Sequence, residues 1–372
     1  MITAIIFILV LSLLVFVHEL GHFLTARRLG VKAEEFGFGF PPRLIGYYKD
    51  SEGKWHIIKG NKEVVAPGTI YSINALPLGG FVKIKGENGD STDTDSFSGQ
   101  ELWRRALILF AGVFMNIVLA GVLFSIGFGI GLPASLDGAE ITGNMHISDR
   151  QARVVSVFKE SPAEIAGLKA GDAILTISAQ PIFNAGDIQN ILKSSSTKPV
   201  TVTYRRAGVE YQTNASPSFS QDLNRSVLGV EISEIGTVRY PWYLTPWYGF
   251  KAAILMLVAI FVAFYQLIAG LFAGHGAGDA VGGPVKIAQM TGEAARFGFA
   301  YLINFVALLS LNLAVINILP LPALDGGRLL FLLIERIKGS PVKKEAEAIV
   351  HTVGFWLLIL LMILVTYKDI FR

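Results

Sequence analysis

Five long apolar stretches constrain the fold of this sequence more than any other feature. They cover about residues 2–26, 106–132, 250–273, 299–322 and 353–367. Each approaches the ~20 residues that a helix needs to cross ~30 Å of hydrocarbon. Hydrophobic residues make up 52% of the chain and charged residues only 16%, which is unusual for a soluble domain. The sequence therefore predicts a polytopic α-helical protein in a lipid bilayer.

Cysteine content and net charge further restrict the partners and the metal sites that this protein can have. The chain has no cysteine and a formal net charge of +3, which is too small to indicate nucleic acid as a partner. Any zinc must then be bound by imidazole and carboxylate, the ligands typical of catalytic sites. The first apolar stretch lacks a preceding basic residue and a small-residue cleavage site. We interpret it as a retained span, not a signal peptide.

Basic residues predict the orientation in the membrane. Twelve Lys or Arg lie between the first two apolar stretches, from Arg27 to Arg105. The positive-inside rule places this segment in the cytoplasm and the N-terminus outside. The second span then leads outward into residues 140–235, where short β-branched runs alternate with polar residues as in half-buried strands.

A local pattern within this outer segment resembles a PDZ domain of the bacterial protease type. Residues 161–172 read SPAEIAGLKAGD, which predicts a capped short helix and a glycine turn, followed by a strand. The resemblance implies an α+β domain that presents a sheet edge and groove to extended peptides or chain ends. A small α+β domain without a ligand is the alternative.

The sequence HELGH at 18–22 is an HExxH motif inside the first apolar stretch. One helical turn separates His18 from His22, so both rings project from one helix face and can bind one cation. Glu19 lies beside them and can take a proton from the attacking water. Such groups are costly at membrane depth unless they are paired, metal-bound or hydrated. A functional site is therefore favoured over a polar cap at the helix end.

A catalytic zinc needs a third protein ligand, because such sites use three ligands and one open position. Asp325, at the end of the fourth apolar stretch, fits this requirement. The prolines before it turn the helix, and the two glycines after it let chains approach closely. An Asp-Gly turn at the membrane surface is the alternative. The predicted site consists of Zn²⁺ and four residues: His18, His22, Asp325 and Glu19.

Six segments together resemble the site-2 protease family, specifically its bacterial regulator-of-sigma-E type of intramembrane protease. They are HELGHFLTARRLGV at 18–31, GFGF at 37–40, ALPLGGFVKIKGE at 75–87, FSGQELWRRALILFAG at 97–112, VGGPVKIA at 281–288 and NILPLPALDGGRLLF at 317–331. The resemblance implies the same zinc ligands, Glu19 as the catalytic carboxylate and Asn317 as a contact to the substrate backbone.

Two features depart from the family pattern. Many relatives have a Gly-Pro pair in the second span where this chain has Gly112 and Val113, although Asn116 is kept. The resemblance therefore does not predict whether the second span is kinked at this point or how it packs there. The best-known enterobacterial members carry two tandem PDZ domains, and this chain has room for one.

The resemblance also implies a substrate and a location. The substrate would be a single-pass membrane protein already trimmed on its outer side, such as an anti-sigma factor, or a leftover signal peptide. The membrane would be the bacterial inner membrane. The PDZ-like domain would then screen for short ectodomains.

A transmembrane substrate must unwind before attack, because its peptide bonds are hidden in internal hydrogen bonds. Strand-like runs in residues 64–86, around Gly79 and Gly80, predict an edge hairpin on the cytoplasmic side. An unwound substrate could add to it as a strand. A solvated amphipathic sheet on the membrane surface is the alternative.

The metal site also predicts the topology. If the helices that carry HELGH and Asp325 run in the same direction, an even number of crossings separates their starts. The first and second spans already supply two crossings, so the stretch 250–273 cannot be a simple third crossing. It is therefore predicted to lie in the outer interface or to be re-entrant. His275, just after it, is interpreted as a solvated outer loop residue, not a ligand. Both termini are outside, and the active site lies near the cytoplasmic side.

The predicted fold has four transmembrane helices plus an interfacial segment, a cytoplasmic-side β-hairpin region and the inserted PDZ-like domain. In chain order, these are a first helix at 1–30, the β region at 31–103, a second helix at 104–133, the PDZ-like domain at 140–235, the interfacial or re-entrant amphipathic region at 245–290, a third helix at 298–335 and a fourth at 350–368.

The predicted function is an intramembrane zinc metalloendopeptidase. Two alternative functions belong to other classes of protein. A non-catalytic scaffold would hold partners with its PDZ-like domain and would not need Glu19. A metal transporter would need more polar residues in the later spans, which are nearly uncharged here.

Overall fold

The chain divides into two compact units. One, the membrane unit, comprises Met1–Ser125 and Pro246–Arg372; the other, the inserted unit, is Ile126–Thr245. The computed structural model describes residues 2–87, 89, 91, 93–137, 144–195, 198–206, 208–220, 225–273 and 282–371. His275 lies outside the described residues.

The described residues form nine helices and twelve strands. The helices are α1 Ile2–Arg28, α2 Leu102–Ile130, α3 Pro162–Ile165, α4 Ala185–Ser195, α5 Thr245–Phe272, α6 Pro284–Phe297, α7 Phe299–Ile318, α8 Asp325–Lys338 and α9 Lys344–Phe371. The strands are β1 Ala33–Lys49, β2 Trp55–Lys59, β3 Ile70–Ile84, β4 Leu132–Ser135, β5 His146–Val157, β6 Ala173–Ile177, β7 Gln180–Pro181, β8 Val200–Arg206, β9 Val209–Ala215, β10 Ser218–Ser220, β11 Arg225–Val227 and β12 Val230–Arg239.

Among the described residues, five helices are long and apolar enough to cross a membrane: α1, α2, α5, α7 and α9. The predicted set was four spans plus an interfacial segment. The difference lies in α5, a continuous helix of 28 residues. Whether α5 crosses the bilayer stays a prediction.

The segment 298–335, predicted as one transmembrane helix, contains two helices. α7 ends at Ile318 and α8 begins at Asp325. Pro320 and Pro322 lie between them, and proline can neither donate a helical hydrogen bond nor fit the preceding turn of a helix. Asp325 is therefore the first residue of a new helix.

Two helices, α2 and α7, converge on HELGH of α1. His22 contacts Ile108 near the start of α2, and His18 lies near Asn317 at the end of α7. Earlier residues of α1 form an apolar cluster with later residues of α2 and with the middle of α7. Its buried members and two of the side chains packed on them are Val10, Leu14, Val306, Leu119 and Leu123. α2 therefore runs antiparallel to α1, and α7 runs parallel to it.

A three-stranded sheet of order β2-β1-β3 follows α1, with β3 at one edge. β3 is anchored to α1 by Ser12, whose hydroxyl donates to the carbonyl oxygen of Pro77 at 2.7 Å and accepts from the N–H of Gly79 at 3.2 Å. This edge strand is thereby held beside the turn of α1 that precedes HELGH.

The inserted unit is built on an antiparallel sheet of order β4-β12-β5-β6-β8-β9, with β7 paired to β6. The predicted helix, turn and strand are present. Ser161 caps α3 by accepting from the N–H of Glu164 at 3.2 Å, Gly167 has a φ of +79°, and β6 follows. The apolar side chains of α4 and the sheet form one buried cluster.

A buried ion pair stabilises the inserted unit. Asp172 is fully buried, and its carboxylate accepts hydrogen bonds from Arg206 Nε at 2.6 Å and Nη2 at 2.7 Å. Arg206→Leu should lower the free energy of unfolding of this unit by about 2 to 3 kcal/mol, because a buried carboxylate loses its partner while the arginine is partly exposed. Urea titration of the full chain in detergent, followed by pulse proteolysis, measures this change.

Arg205→Leu is the matched control. Arg205 is the neighbouring residue on the same strand and pairs with the exposed Glu210 at 2.7 Å. Its substitution should change the free energy of unfolding by no more than about 0.5 kcal/mol. Equal effects of the two substitutions would contradict a special contribution of the Asp172 pair.

Candidate metal centre

The two histidines of HELGH lie where α1 crosses α2 closely. Both are 6% exposed, and their Nε2 atoms are 3.2 Å apart. A Cβ atom added at Gly112 would lie 2.4 Å from Nε2 of His22, and one added at Gly21 would lie 2.3 Å from the carbonyl oxygen of Ala111. Small residues let apolar helices approach each other. Gly112 and Gly21 thus make room for the imidazole pair.

Asp325 completes a triangle of donor atoms. Its Oδ2 lies 3.0 Å from Nε2 of His18 and 3.3 Å from Nε2 of His22. Tetrahedral zinc with bonds of about 2.0–2.1 Å separates its donor atoms by about 3.3 Å. Oδ2 is buried, and no hydrogen-bond donor satisfies it within the described part of the chain. Spacing, donor chemistry and this unsatisfied oxygen all fit a zinc ion.

The loop between α7 and α8 is what directs Asp325 to the histidines. A Cβ atom added at Gly326 would lie 2.1 Å from the carbonyl oxygen of Leu319, so the chain folds back tightly on the start of α8. Ala323 has a φ of +69°, a conformation that L residues rarely adopt, and its N–H donates to Nδ1 of His351 at 2.8 Å. Close approach at these glycines was predicted, whereas the His351 contact was not.

Glu19 lines a cavity of about 80 Å³ together with His22 and Asp325. This volume accommodates several water molecules, since one water molecule needs about 10 to 15 Å³ of cavity volume. Glu87 lines the same cavity and forms an ion pair with Arg328 of α8. Sequence reasoning did not assign a role to Glu87. The available signal was its position at the end of the ALPLGGFVKIKGE segment.

Asn317, for which the family resemblance implied a contact to the substrate backbone, lies beside His18. It is 9% exposed, and its Nδ2 is 3.5 Å from Nδ1 of His18. Asn116 of α2 also reaches this ring, with its Nδ2 3.3 Å from the same Nδ1. Asn116 was not among the predicted site residues, although the sequence comparison with the family pattern had singled it out.

Gly79 and Gly80 have a packing function that sequence reasoning missed. A Cβ atom added at Gly79 would lie 2.5 Å from Val15, and one at Gly80 would lie 3.0 Å from the ring of Phe16. The two glycines thus let β3 approach α1. Farther along the strand, Val82 and Ile84 line the cavity that contains Glu19.

An HExxH helix that is apolar enough to span a membrane, and whose histidines meet an aspartate from a distant helix, defines a metalloprotease of the intramembrane kind. The model of Peptidase family M50 matches residues 6–59 and 62–361. The chain belongs to this family, the site-2 protease family.

Relatives over the full length agree with this assignment. A Clostridium perfringens protein and an Agrobacterium fabrum protein, both named as predicted zinc metalloproteases, are 35% and 31% identical; the alignments cover 98% of this chain and 97% and 94% of those proteins. The Bacillus subtilis regulator of sigma-W protease RasP is 29% identical, with 100% of this chain and 98% of RasP covered.

The predicted family, metalloprotease activity and zinc cofactor are thereby confirmed. The scaffold and transporter alternatives are not favoured. Among solved structures, the PDZ domain of the SdrC-like protein from Listeria monocytogenes aligns with 25% of this chain and 93% of its own, at 18% identity and a TM-score of 0.21.

Proposed function

We propose that this protein cleaves single-pass membrane proteins within or near the bilayer, with His18, His22 and Asp325 as zinc ligands. The observation that carries the proposal is the triangle of their donor atoms, with sides of 3.0, 3.2 and 3.3 Å. The triangle lies toward the end of α1, a helix long enough to span a membrane. The charge distribution predicts that this end is on the cytoplasmic side. Glu19 in the adjoining cavity adds the group that proteolysis requires.

Glu19 is proposed as the general base and acid. Zinc held by His18, His22 and Asp325 would supply a Lewis acid that activates a water molecule and polarises a carbonyl oxygen. Glu19 accepts the proton of the attacking water and passes it to the leaving amide nitrogen. The backbone carbonyl of Ile108 holds the ring of His22 through Nδ1 at 2.8 Å, which leaves its Nε2 directed at the site.

The edge of β3 is proposed as the substrate platform. Val82 and Ile84 line the cavity with Glu19, and β3 is an edge strand of its sheet. An unwound substrate that adds to this edge would bring its peptide bonds next to the cavity. Gly79 and Gly80 would hold this edge close to α1, and Asn317 would take a backbone group of the substrate.

Membership of the family supports a proposal for the substrate and the location. RasP is named as a regulator of sigma-W protease, which supports a substrate of the anti-sigma-factor type, already trimmed on its outer side, or a remnant signal peptide. We place the protein in the bacterial inner membrane with both termini outside. The inserted unit, as a PDZ-like domain, would face outward and screen for short ectodomains.

The test uses two reconstituted substrates with the same transmembrane span. One retains its folded outer domain and the other ends a few residues outside the membrane. The trimmed substrate should be cleaved at least about tenfold faster in liposomes, and mass spectrometry should map the cut within or next to the span. A difference of tenfold corresponds to about 1.4 kcal/mol of barrier. Cleavage only in the outer domain would contradict the proposal.

Contacts within the membrane unit support an outer position for α6, the helix that follows α5 in the sequence. Gly283, before α6, packs against Asp369 at the end of α9, and Gly292 of α6 packs against Thr3 at the start of α1. Both partners belong to helix ends that the charge rule places outside. α6 would then lie on the outer side, which fits an interfacial or re-entrant region at 245–290.

Cysteine labelling tests this topology, because the chain has no cysteine of its own. Trp242→Cys and Ala273→Cys flank α5, and Ser340→Cys follows α8. An impermeant thiol reagent added to intact cells should label the first two and should reach the third only after permeabilisation. Labelling of Ala273→Cys only after permeabilisation would show that α5 crosses the bilayer.

A further inference from the structure

Asn116 of α2 is a buried amide at the centre of the membrane unit. It is 0% exposed, and its Oδ1 has no hydrogen-bond partner among the residues that the structure describes. Its backbone oxygen accepts a hydrogen bond from the hydroxyl of Ser310 in α7 at 2.7 Å. A buried and unsatisfied amide oxygen is unfavourable by about 1 to 3 kcal/mol, so it needs a partner in the active protein.

His18 and His22 differ in the chemical group that lies next to their Nδ1 atoms. Nδ1 of His22 faces the carbonyl oxygen of Ile108 at 2.8 Å. A carbonyl can only accept, so this Nδ1 carries the proton and Nε2 is free to bind a cation. His18 must adopt the same tautomer if its Nε2 is to bind the same ion. Its Nδ1–H then also needs an acceptor.

The amide of Asn116 can supply this acceptor. As oriented in the structure, Asn116 and Asn317 both direct Nδ2 at Nδ1 of His18, at 3.3 and 3.5 Å. Turning an amide about its last bond exchanges nitrogen and oxygen at nearly unchanged positions. For Asn116 this turn satisfies two groups at once, because the unsatisfied Oδ1 then meets the Nδ1–H of His18.

We propose that Asn116 is a positioning residue whose Oδ1 accepts the Nδ1–H of His18 and so fixes the tautomer and ring orientation with which His18 binds zinc. The inference rests on the ligand set of the proposed function. It gives α2 a share in the metal site through both histidines: the Ile108 carbonyl holds one ring and the Asn116 amide holds the other. Asn317, at the longer distance, stays available to the substrate backbone.

Two substitutions of similar size separate the acceptor from simple packing. Asn116→Leu removes the hydrogen-bond acceptor, whereas Asn116→Asp keeps an acceptor oxygen and removes only the amide N–H donors. Zinc dissociation constants of the full chain in detergent, measured by chelator competition, should rise about 10- to 100-fold for Asn116→Leu, as for other supporting groups of metal-binding histidines. Asn116→Asp should stay within about threefold of wild type, because a carboxylate accepts the same Nδ1–H.

Ser310→Ala serves as the packing control, since it removes the contact to the Asn116 backbone and leaves the amide in place. It should not change the zinc dissociation constant, and circular dichroism should show native helix content for all variants. Wild-type zinc affinity in Asn116→Leu would overturn the inference. Equal losses in Asn116→Leu and Asn116→Asp would overturn the acceptor assignment.

His18→Ala distinguishes failure of this inference from failure of the proposed ligand set. If His18→Ala binds zinc as tightly as wild type, the ligand set itself is wrong. If His18→Ala loses zinc while Asn116→Leu keeps it, His18 is a ligand and only the role of Asn116 is wrong.

Discussion

Glu19→Gln should retain one zinc ion per chain and lose proteolytic activity by about 10² to 10⁴-fold, the usual contribution of a general base. Glutamine has the same shape, so the cavity of about 80 Å³ that Glu19 lines should be preserved. It cannot accept the proton of the attacking water. Cleavage rates of the trimmed single-span substrate in liposomes and zinc content by mass spectrometry measure the two effects separately.

Glu52→Gln is the control for this charge change. Glu52 lies on the surface and pairs with Lys54 at 2.8 Å, with a side-chain exposure of 74%. Its substitution should leave both rate and zinc content at wild-type values. Wild-type cleavage by Glu19→Gln would remove Glu19 from the mechanism, and loss of zinc would give it a metal-supporting role instead.

The three residues of the candidate metal centre could be predicted from the sequence to lie together, because each step follows from local geometry or simple chemistry. Helical spacing places His18 and His22 on one face. The coordination number of catalytic zinc demands a third ligand, and Asp325 stands at the end of the fourth apolar stretch between prolines and glycines. The structure brings these residues together, with Asp325 within 3.3 Å of both histidines.

The support around the triad could not be predicted, because it depends on how helices far apart in the sequence cross. Gly112 faces the histidines only in the register at which α2 packs on α1. The contact between Ala323 and His351 likewise requires the start of α9 to lie against the loop before α8. No local pattern specifies either contact.

The fold shows the same division between local and non-local information. Prolines at 320 and 322 indicated an interruption near Asp325, but an apolar pattern that continues beyond them led to one predicted helix where two exist. For Gly79 and Gly80, a strand-like run with glycines predicted a substrate platform. The sequence did not reveal that α1 approaches these glycines, since a glycine pattern does not identify the neighbour that needs the space.

Asp325→Ala should reduce zinc affinity by more than about 100-fold, a larger loss than supporting residues cause. Two histidines with Nε2 atoms 3.2 Å apart would remain, and a catalytic zinc site needs three protein ligands. The purified variant should therefore contain little zinc, and proteolysis should fall with it. Asp325→Asn should behave similarly, because a neutral amide oxygen is a weaker ligand than a carboxylate. Chelator competition and metal analysis measure both variants.

Asp50→Asn is a close control, because Asp50 also contacts a histidine. Its Oδ2 lies 2.5 Å from Nε2 of His56 on the exposed side of the β1 and β2 hairpin. Removing the charge of this pair should leave zinc binding unchanged, since one histidine and one carboxylate at an exposed position do not form a zinc site. Stoichiometric zinc in Asp325→Ala would mean that the third ligand comes from another residue. The convergence of α1 and α8 would then need a different explanation from metal binding.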